Sequence, residues 1–395
     1  MRARLFLTLA ILMMALSACS GVDRSDQAPP KDSYKAFYPV GFPDTRLIGE
    51  PSKDDIDRSI KVFQDNFRVT SRGGKPLNIL ALSSGGSDGA FGAGVMNGWT
   101  KSGTRPEFDI VTGVSTGSLI APFAFLGPEF DENLRRLYTE TSTNDLILTQ
   151  FFAGVFKGQS LFNTTPLRKI IQRELSDAVI GRIADAHEAG RRLYIGTTHL
   201  DAAEPVIWDI GQIASYRNRP ANELVRDLIW ASAAIPIAFT PVDITVTDGR
   251  SIRRELHVDG GITKQVFAYP PEVPMGKILR RLGLSGRDNR IWLIHNNPVK
   301  PAYEAQKTGI ITMAGRSIDT LIASQSIGDI KEVAALATRD GFSMRIMLIP
   351  QDFYAESNEF FDKAYMQELY EVGEEMGANP TSWSRELEAL FTRGL

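Results

Sequence analysis

The chain has 395 residues, of which 43% are hydrophobic and 23% are charged, a composition typical of a globular protein with a sizeable core. Its net charge of −3 argues against the basic field that nucleic-acid binding requires. The single cysteine, Cys19, excludes a disulfide within the chain and a cysteine-based zinc site. The four histidines match no metal-binding spacing, so we expect no metal and no cofactor.

Residues 1–19 are typical of a secretory signal peptide, because Arg2 and Arg4 precede a mostly apolar run that ends in small residues before Cys19. The run is too short for a comfortable transmembrane helix. Its end, Leu-Ser-Ala-Cys, resembles a bacterial lipobox, which implies cleavage before Cys19 and a lipid anchor on its thiol. Ser20 follows, not the aspartate of inner-membrane retention, so we expect anchoring in the outer membrane, facing the periplasm. The alternatives are an ordinary signal peptide or a core helix with an incidental cysteine.

The segment after the cysteine predicts a tether followed by a helix. Residues 20–35 are polar and include two consecutive prolines, which favours a flexible connection. Residues 51–72 place apolar side chains at helical spacing. We therefore assign residues 20–75 to a tether and N-terminal extension.

Residues 78–126 alternate between strand and helix patterns. Apolar runs at residues 78–83 and 109–114 read as buried strands, and helical patterns follow them at residues 89–102 and 116–126. This βαβα order is the pattern of a parallel sheet with crossover helices.

Further strands and helices are predicted along the rest of the chain. The strands are expected at residues 192–198, 205–208, 255–258, 290–295 and 344–349, and the helices at residues 222–234, 302–339 and 358–392. The last strand needs a sheet to pair with, because its backbone groups require partners. We predict one α/β catalytic core at residues 76–300, with a mostly helical C-terminal extension at residues 301–395 packed on it.

The first motif that carries chemistry is Gly113-Val114-Ser115-Thr116-Gly117, a match to G-x-S-x-G. It follows a predicted strand and opens a predicted helix, where a sharp turn exposes the serine hydroxyl. Gly113 and Gly117 let backbone segments pass closely on either side. The helix N-terminus favours an anionic intermediate at Ser115. The alternative is a plain glycine-rich turn.

The second motif, Ser84-Gly85-Gly86-Ser87-Asp88-Gly89, also lies between a strand and a helix. Its glycines allow backbone N–H groups to point at a tetrahedral oxyanion. Glycine-rich turns of this kind also bind phosphate. A Walker lysine is absent and G-x-G-x-x-G is not completed, so nucleotide binding is disfavoured.

The third motif is Asp259-Gly260-Gly261 at the end of a predicted strand. Gly260 and Gly261 would leave open backbone around the Asp259 carboxylate. Taken alone, the motif is explained as well by a β-turn, for which Asp-Gly is a common signal.

Together, the three motifs resemble the patatin-like phospholipase family, which carries an oxyanion loop, G-x-S-x-G and D-G-[AG] in this order. Residues 230–241 resemble the A-S-x-A-x-P-x-x-F-x-P stretch of that family, and residues 161–167 resemble a segment of its bacterial branch. The resemblance covers residues 77–297. It implies an α/β fold with three αβα layers and a mainly parallel central sheet.

The resemblance also implies roles for the motif residues. Ser115 would be the nucleophile and Asp259 its proton acceptor, while Gly85 and Gly86, with Gly89 in support, would form the oxyanion hole. The implied activity is a serine acyl-hydrolase (phospholipase A, lysophospholipase or carboxylesterase) with a lipid or phospholipid ester as substrate and a membrane as its surroundings.

Two residues depart from the family pattern. Ser84 stands where the family usually has glycine, and Asp88 stands where a basic residue is frequent. Asp88 would weaken attraction to an anionic head group, which bears on substrate preference more than on catalysis.

A Ser-Asp-His triad of the α/β-hydrolase type is the rival within hydrolases, because Ser115, Asp259 and His295 occur in the required order. The short separation of oxyanion loop and serine turn argues against it, and His295 follows a buried apolar run. His257 shares a strand face with Asp259 and is better explained as a packing or supporting residue.

Two other classes of protein stay open. One is a non-enzymatic envelope lipoprotein on a degenerate fold, which the departures at Ser84 and Asp88 would suit. The other is a nucleotide-binding protein. Retention of both Ser115 and Asp259 favours the enzyme.

Overall fold

The computed structural model describes residues 24–58, 60–61, 75–141, 165–236, 238–299, 309–355, 357 and 361–385. The predicted lipid-attachment residue Cys19 and residues 161–164 lie outside these ranges. Of the helix predicted at residues 51–72, residues 53–58 are helical, and most of the remainder also lies outside them.

The described residues contain ten strands that join in one sheet. The strands are β1 (Tyr38–Pro39), β2 (Arg46–Ile48), β3 (Asn78–Leu82), β4 (Ile110–Val114), β5 (Arg192–His199), β6 (Glu204–Asp209), β7 (Val242–Thr247), β8 (Ile252–Asp259), β9 (Arg290–His295) and β10 (Ser343–Leu348).

The described helices cover both faces of this sheet. They are α1 (Gly89–Lys101), α2 (Thr116–Leu126), α3 (Asp131–Thr139), α4 (Thr165–Glu174), α5 (Asp177–Glu188), α6 (Ile210–Ala214), α7 (Arg219–Ser232), α8 (Met275–Arg281), α9 (Ile310–Asp340) and α10 (Lys363–Ala378).

The centre of the sheet consists of five parallel strands in the order β5-β4-β3-β9-β10. Strand β6 pairs antiparallel with one edge of β5, and β2 pairs with β6. On the other edge of β5, β4 pairs with the first part of the strand and the antiparallel β8 pairs with its last three residues. Strands β7 and β1 extend the sheet from β8.

Two hydrophobic cores lie on opposite faces of the sheet, because side chains alternate along each strand. In β3, Leu80 and Leu82 enter one core, whereas Ile79 and Ala81 enter the other. The first core is covered mainly by α1, α2, α7 and α10, and the second by α8 and the C-terminal half of α9. The architecture is therefore the predicted three-layer αβα arrangement with a mostly parallel central sheet.

Helix α10 packs unusually close to α1 because both helices carry glycines at a spacing of four. A Cβ atom at Gly94 or Gly98 of α1 would lie 2.1 or 1.9 Å from a backbone oxygen of α10. A Cβ atom at Gly373 or Gly377 of α10 would lie 2.2 Å from a backbone oxygen of α1. The C-terminal helix is thus seated directly on the helix that follows the glycine-rich loop.

The strand predictions from residue 192 onward match β5, β6, β8, β9 and β10, and the helix predictions at residues 222–234 and 302–339 match α7 and α9 within the described residues. The helix predicted at residues 358–392 is shorter, because α10 ends at Ala378 and residues 379–385 are not α-helical. The sequence prediction omits β7, although its residues alternate between buried and exposed positions. The division into domains stays a prediction.

Candidate active site

The Ser115 turn joins β4 to α2 and holds the serine in a left-handed conformation, with φ 53° and ψ −123°. Such a conformation is strained for a residue with a side chain and is characteristic of a nucleophile elbow. A Cβ atom at Gly113 would lie 2.4 Å from the Gly117 oxygen, and one at Gly117 would lie 2.4 Å from the Leu82 oxygen. Any side chain at either position would clash with the backbone, so both positions require glycine.

Asp259 reaches Ser115 through the pairing of β5 with two other strands. Val114, at the end of β4, pairs with Gly196 of β5, and Asp259, at the end of β8, pairs with the next residue, Thr197. Strands β4 and β8 approach from opposite directions along one edge of β5 and end side by side. This register places the two predicted site residues in contact.

The Ser115 hydroxyl donates a hydrogen bond of 2.6 Å to Oδ2 of Asp259. The Gly261 N–H donates a hydrogen bond of 2.7 Å to the other carboxylate oxygen, Oδ1. Asp259 is buried, and this burial raises its pKa from 3.8 to about 7, against the lowering effect of both hydrogen bonds. The carboxyl is therefore poised to exchange a proton near neutral pH.

Gly260 completes the Asp259 turn by allowing a close backbone approach. A Cβ atom at this position would lie 2.4 Å from the Gly196 oxygen of β5. The glycine predicted to support the motif therefore has a steric role in this turn.

The glycine-rich loop lies beside the serine. Gly86 has φ 56° and lines the same small cavity as Ser115 and Thr116. Within the described residues, the backbone N–H groups of Gly85 and Gly86 donate no hydrogen bond, so they are free to bind an oxyanion. Gly89 differs, because its N–H donates to the Gly86 oxygen. It contributes by close approach, since a Cβ there would lie 1.9 Å from Thr116 Oγ1.

The stretch at residues 230–241 accepts hydrogen bonds from the backbone N–H groups of both Ser115 and Asp259. Ser232 Oγ accepts a hydrogen bond of 3.0 Å from the Ser115 N–H and donates one of 2.6 Å to the Gly196 oxygen. The oxygen of Ala234 accepts a hydrogen bond of 3.0 Å from the Asp259 N–H. The family-like stretch is thus a support for the site, a role that its sequence alone did not reveal.

All four histidines of the chain are described, and none forms a hydrogen bond or an ion pair with Ser115 or Asp259. His257 lies with Nδ1 3.0 Å from Thr197 Oγ1 and Nε2 3.2 Å from the Glu255 carboxylate. His295 bonds through Nδ1 to the Asn297 oxygen at 2.7 Å. Burial lowers the pKa of both histidines to about 4. The geometry therefore offers no histidine for a triad.

The cavity at Ser115 has a volume of 40 Å³ and a mainly apolar lining. The apolar side chains come from α2, α3, α4, the segment after α7, the residues just before α10 and α10 itself, namely Leu119, Leu137, Leu167, Ile235, Phe239, Phe361 and Met366. Tyr138 also lines it and shares a hydrogen bond of 2.5 Å with Thr116 Oγ1. Tyr138 and Met366 were not predicted as site residues, because they belong to helices distant in sequence.

Asp88 points toward the C-terminal helix. Its Oδ1 accepts a hydrogen bond of 2.8 Å from the hydroxyl of Tyr365 on α10. Burial raises the pKa of Asp88 to about 6, with the Tyr365 hydrogen bond opposing the shift. This departure from the family pattern thus ties the glycine-rich loop to α10.

The sheet, the serine turn and the free amides define an α/β protein with a serine–aspartate site at the ends of its strands. A family model described as patatin-like phospholipase matches residues 80–270. No curated protein matches the chain. Among solved structures, the crystal structure of VipD from Legionella pneumophila has a TM-score of 0.34 and 13% sequence identity, covering 77% of this chain and 67% of that chain.

Residues 80–270 therefore form a patatin-like phospholipase domain, as the motifs predicted. At the level of the family, this match supports a lipid ester hydrolase.

Proposed function

We propose that the chain is a serine acyl-hydrolase that cleaves lipid esters, with Ser115 as the nucleophile and Asp259 as its base. The observation that carries the proposal is the 2.6 Å hydrogen bond from the Ser115 hydroxyl to the buried Asp259 carboxylate. A base with a pKa of about 7 suits proton transfer near neutral pH. The glycine-rich loop, whose Gly86 lines the same cavity, would supply the oxyanion donors through the N–H groups of Gly85 and Gly86.

In the first half of the reaction, Asp259 accepts the Ser115 proton while Oγ attacks the carbonyl carbon of the ester. The negative charge moves to the carbonyl oxygen, where the N–H groups of Gly85 and Gly86 stabilise it. The intermediate collapses to an acyl-serine, and the alcohol leaves with the proton from Asp259. In the second half, Asp259 takes a proton from water as the water oxygen bonds to the acyl carbon. The bond from that carbon to Ser115 Oγ then breaks, Oγ takes the proton back from Asp259, and the fatty acid leaves.

The cavity favours particular substrates. Within the described residues, its volume of 40 Å³ is small. Its apolar lining suits hydrocarbon, and the Asp88 carboxylate on the neighbouring loop disfavours an anionic head group close by. We expect short and medium neutral acyl esters to be cleaved faster than long-chain anionic phospholipids.

The N-terminal sequence supports a second part of the proposal, that Cys19 carries the lipid anchor of an envelope lipoprotein. None of the described helices is long and apolar enough to cross a membrane. Mass spectrometry of the mature N-terminus should find acylated Cys19, and Cys19→Ala should release the protein from the membrane fraction. An unmodified thiol on a membrane-bound chain would contradict the anchor without affecting the hydrolase.

Hydrolysis of p-nitrophenyl esters of graded chain length, together with fluorophosphonate labelling, tests the hydrolase. Ser115→Ala should lose both turnover and labelling. Ser102→Ala is a matched control, because the Ser102 hydroxyl forms its hydrogen bonds with Trp99 and Thr104, at the C-terminal end of α1 and away from the site. If the wild type neither labels nor turns over any ester, a non-enzymatic envelope lipoprotein becomes the better explanation.

A further inference from the structure

Gln265 lies between the glycine-rich loop and the Asp259 turn and is almost completely buried, with 1% of its surface exposed. Its side-chain Nε2 donates a hydrogen bond to the Gly261 oxygen. Its Oε1 accepts a hydrogen bond from the hydroxyl of Ser84. The side-chain amide of Gln265 therefore bridges Ser84, the first residue of the glycine-rich loop, and Gly261, the last glycine of the Asp259 turn.

The orientation of this amide follows from its partners. The Gly261 carbonyl can only accept, so the NH₂ group must face it and the amide oxygen must face Ser84. Ser84 must then donate its hydroxyl proton to Gln265, and its Oγ lies 3.3 Å from the Asn297 amide nitrogen, which can donate to it. The bridge has a single consistent arrangement of donors and acceptors.

The bridge ends on the groups that the reaction uses. Gly261 donates its N–H to Asp259 Oδ1 at 2.7 Å, so Gln265 contacts the residue that binds the base directly. Ser84 directly precedes Gly85 and Gly86, whose N–H groups are the oxyanion donors. The backbone of Gln265 adds a second tie, because its oxygen accepts a hydrogen bond of 2.9 Å from the Ser84 N–H.

Gln265 is itself held from the opposite side of the site. Its N–H donates a hydrogen bond of 2.6 Å to the Asp329 carboxylate on α9. The Asn297 side chain donates a hydrogen bond of 2.8 Å to the Ser84 oxygen and so fixes the other end of the bridge. One end of the bridge is therefore held by helix α9 and the other by the segment that follows β9, and such supporting contacts help to fix the geometry of a site.

We propose that Gln265 is a positioning residue that sets the distance between the oxyanion donors and the catalytic base. This inference rests on the proposed serine hydrolase function and deepens it. The oxyanion amides and Asp259 belong to separate loops, and a displacement of about 1 Å between them costs about 100-fold in rate. The Gln265 amide is a direct side-chain link between the two loops.

Four variants of the full-length chain test the two ends of the bridge separately and distinguish positioning from general stability. Gln265→Ala removes both ends of the bridge, and Gln265→Glu keeps its shape but puts a carboxylate against the Gly261 oxygen. Ser84→Ala removes only the end at the oxyanion loop. Asn289→Ala is the matched control, because Asn289 is also 1% exposed and bridges the Leu77 N–H and the Leu284 oxygen at the opposite end of the sheet.

The readouts are kcat and KM for a p-nitrophenyl ester across the pH range, and the melting temperature of each variant. Gln265→Ala should lower kcat about 10- to 100-fold with little change in KM. Its kcat/KM profile should also move to higher pH, because a displaced Gly261 N–H no longer favours ionised Asp259. Gln265→Glu should move the profile further, because its carboxylate adds a like charge near Asp259.

The other two variants separate positioning from stability. Ser84→Ala should lower kcat and leave the pH profile in place, because the bond from Gln265 to Gly261 remains. Asn289→Ala should lower the melting temperature and leave both kcat and the pH profile unchanged.

A wild type that hydrolyses esters, beside folded Gln265 variants with unchanged kcat and pH profile, overturns this inference alone. Equal changes in Asn289→Ala and Gln265→Ala also overturn it, because the effect would then be general destabilisation. A wild type without turnover or labelling overturns the proposed function and this inference with it.

Discussion

Replacing Asp259 with asparagine should abolish most of the activity and yet stabilise the fold at neutral and alkaline pH. Asp259 is 5% exposed, and burial raises its pKa from 3.8 to about 7. A pKa difference of about 3 corresponds to about 4 kcal/mol that the ionised carboxylate costs the folded state. The amide of Asp259→Asn carries no charge and still accepts the Gly261 N–H, so we expect a net gain of about 2–4 kcal/mol.

The gain in unfolding free energy should depend on pH with a defined sign. Below the unfolded pKa of 3.8, Asp259 is protonated in both states, so the two proteins should have similar stability. Between pH 3.8 and about 7, the unfolded wild type releases a proton that the folded wild type keeps, and the wild type loses stability as the pH rises. Above about pH 7, both states are ionised and the difference stays constant.

Urea denaturation of the wild type and Asp259→Asn at about pH 4, 6 and 8 measures this difference. Loss of the base should lower kcat by about 10³-fold. Wild-type kcat/KM should rise with pH and level off above about 7, where Asp259 is ionised. Ser115→Ala is the control, because it is equally inactive but keeps the carboxylate and should show no such gain. A stability difference that does not change with pH, or near-normal turnover in Asp259→Asn, would refute the reasoning.

Ser232→Ala removes the acceptor of the nucleophile's N–H, and it should lower the free energy of unfolding by about 1–3 kcal/mol and kcat about tenfold. Denaturation and ester hydrolysis measure these losses, and an unchanged kcat would count against the support role. Gly98→Ala puts a Cβ 1.9 Å from a backbone oxygen of α10 and should destabilise the fold by about 1–3 kcal/mol in thermal unfolding. Gly181→Ala, where a Cβ meets nothing within 4 Å, should not. Met366→Ala enlarges the cavity and should shift the ester preference toward longer acyl chains, as initial rates across a chain-length series would reveal.

The serine turn could be predicted from the sequence because its requirements are local. A nucleophilic serine on a sharp turn from strand to helix needs a positive φ, which is observed at Ser115. Backbone segments must also pass close on both sides of the turn, and they do so at Gly113 and Gly117. The same holds for the strands around it, whose apolar runs are long enough to require burial on both faces. The family followed from the order of three motifs, each of which was weak alone.

Other parts of the site could not be predicted, because they depend on elements far apart in the chain. Tyr365 reaches Asp88 across 277 positions only because glycines on α1 and α10 let those helices pack closely. Strand β7 was omitted from the prediction, since an alternating pattern without its partner β8 is weak.

The sequence by itself determined the class of fold, the three motifs and the residue types that carry the chemistry, because these follow from local stereochemistry and from burial. Only the tertiary structure decided which groups meet. The pairing of β5 brings Ser115 to Asp259, turns His257 toward Glu255 and Thr197, and leaves no histidine at the site. Such partners are set by strand register and helix packing, which sum many weak contacts over the whole chain and are not encoded in any single segment.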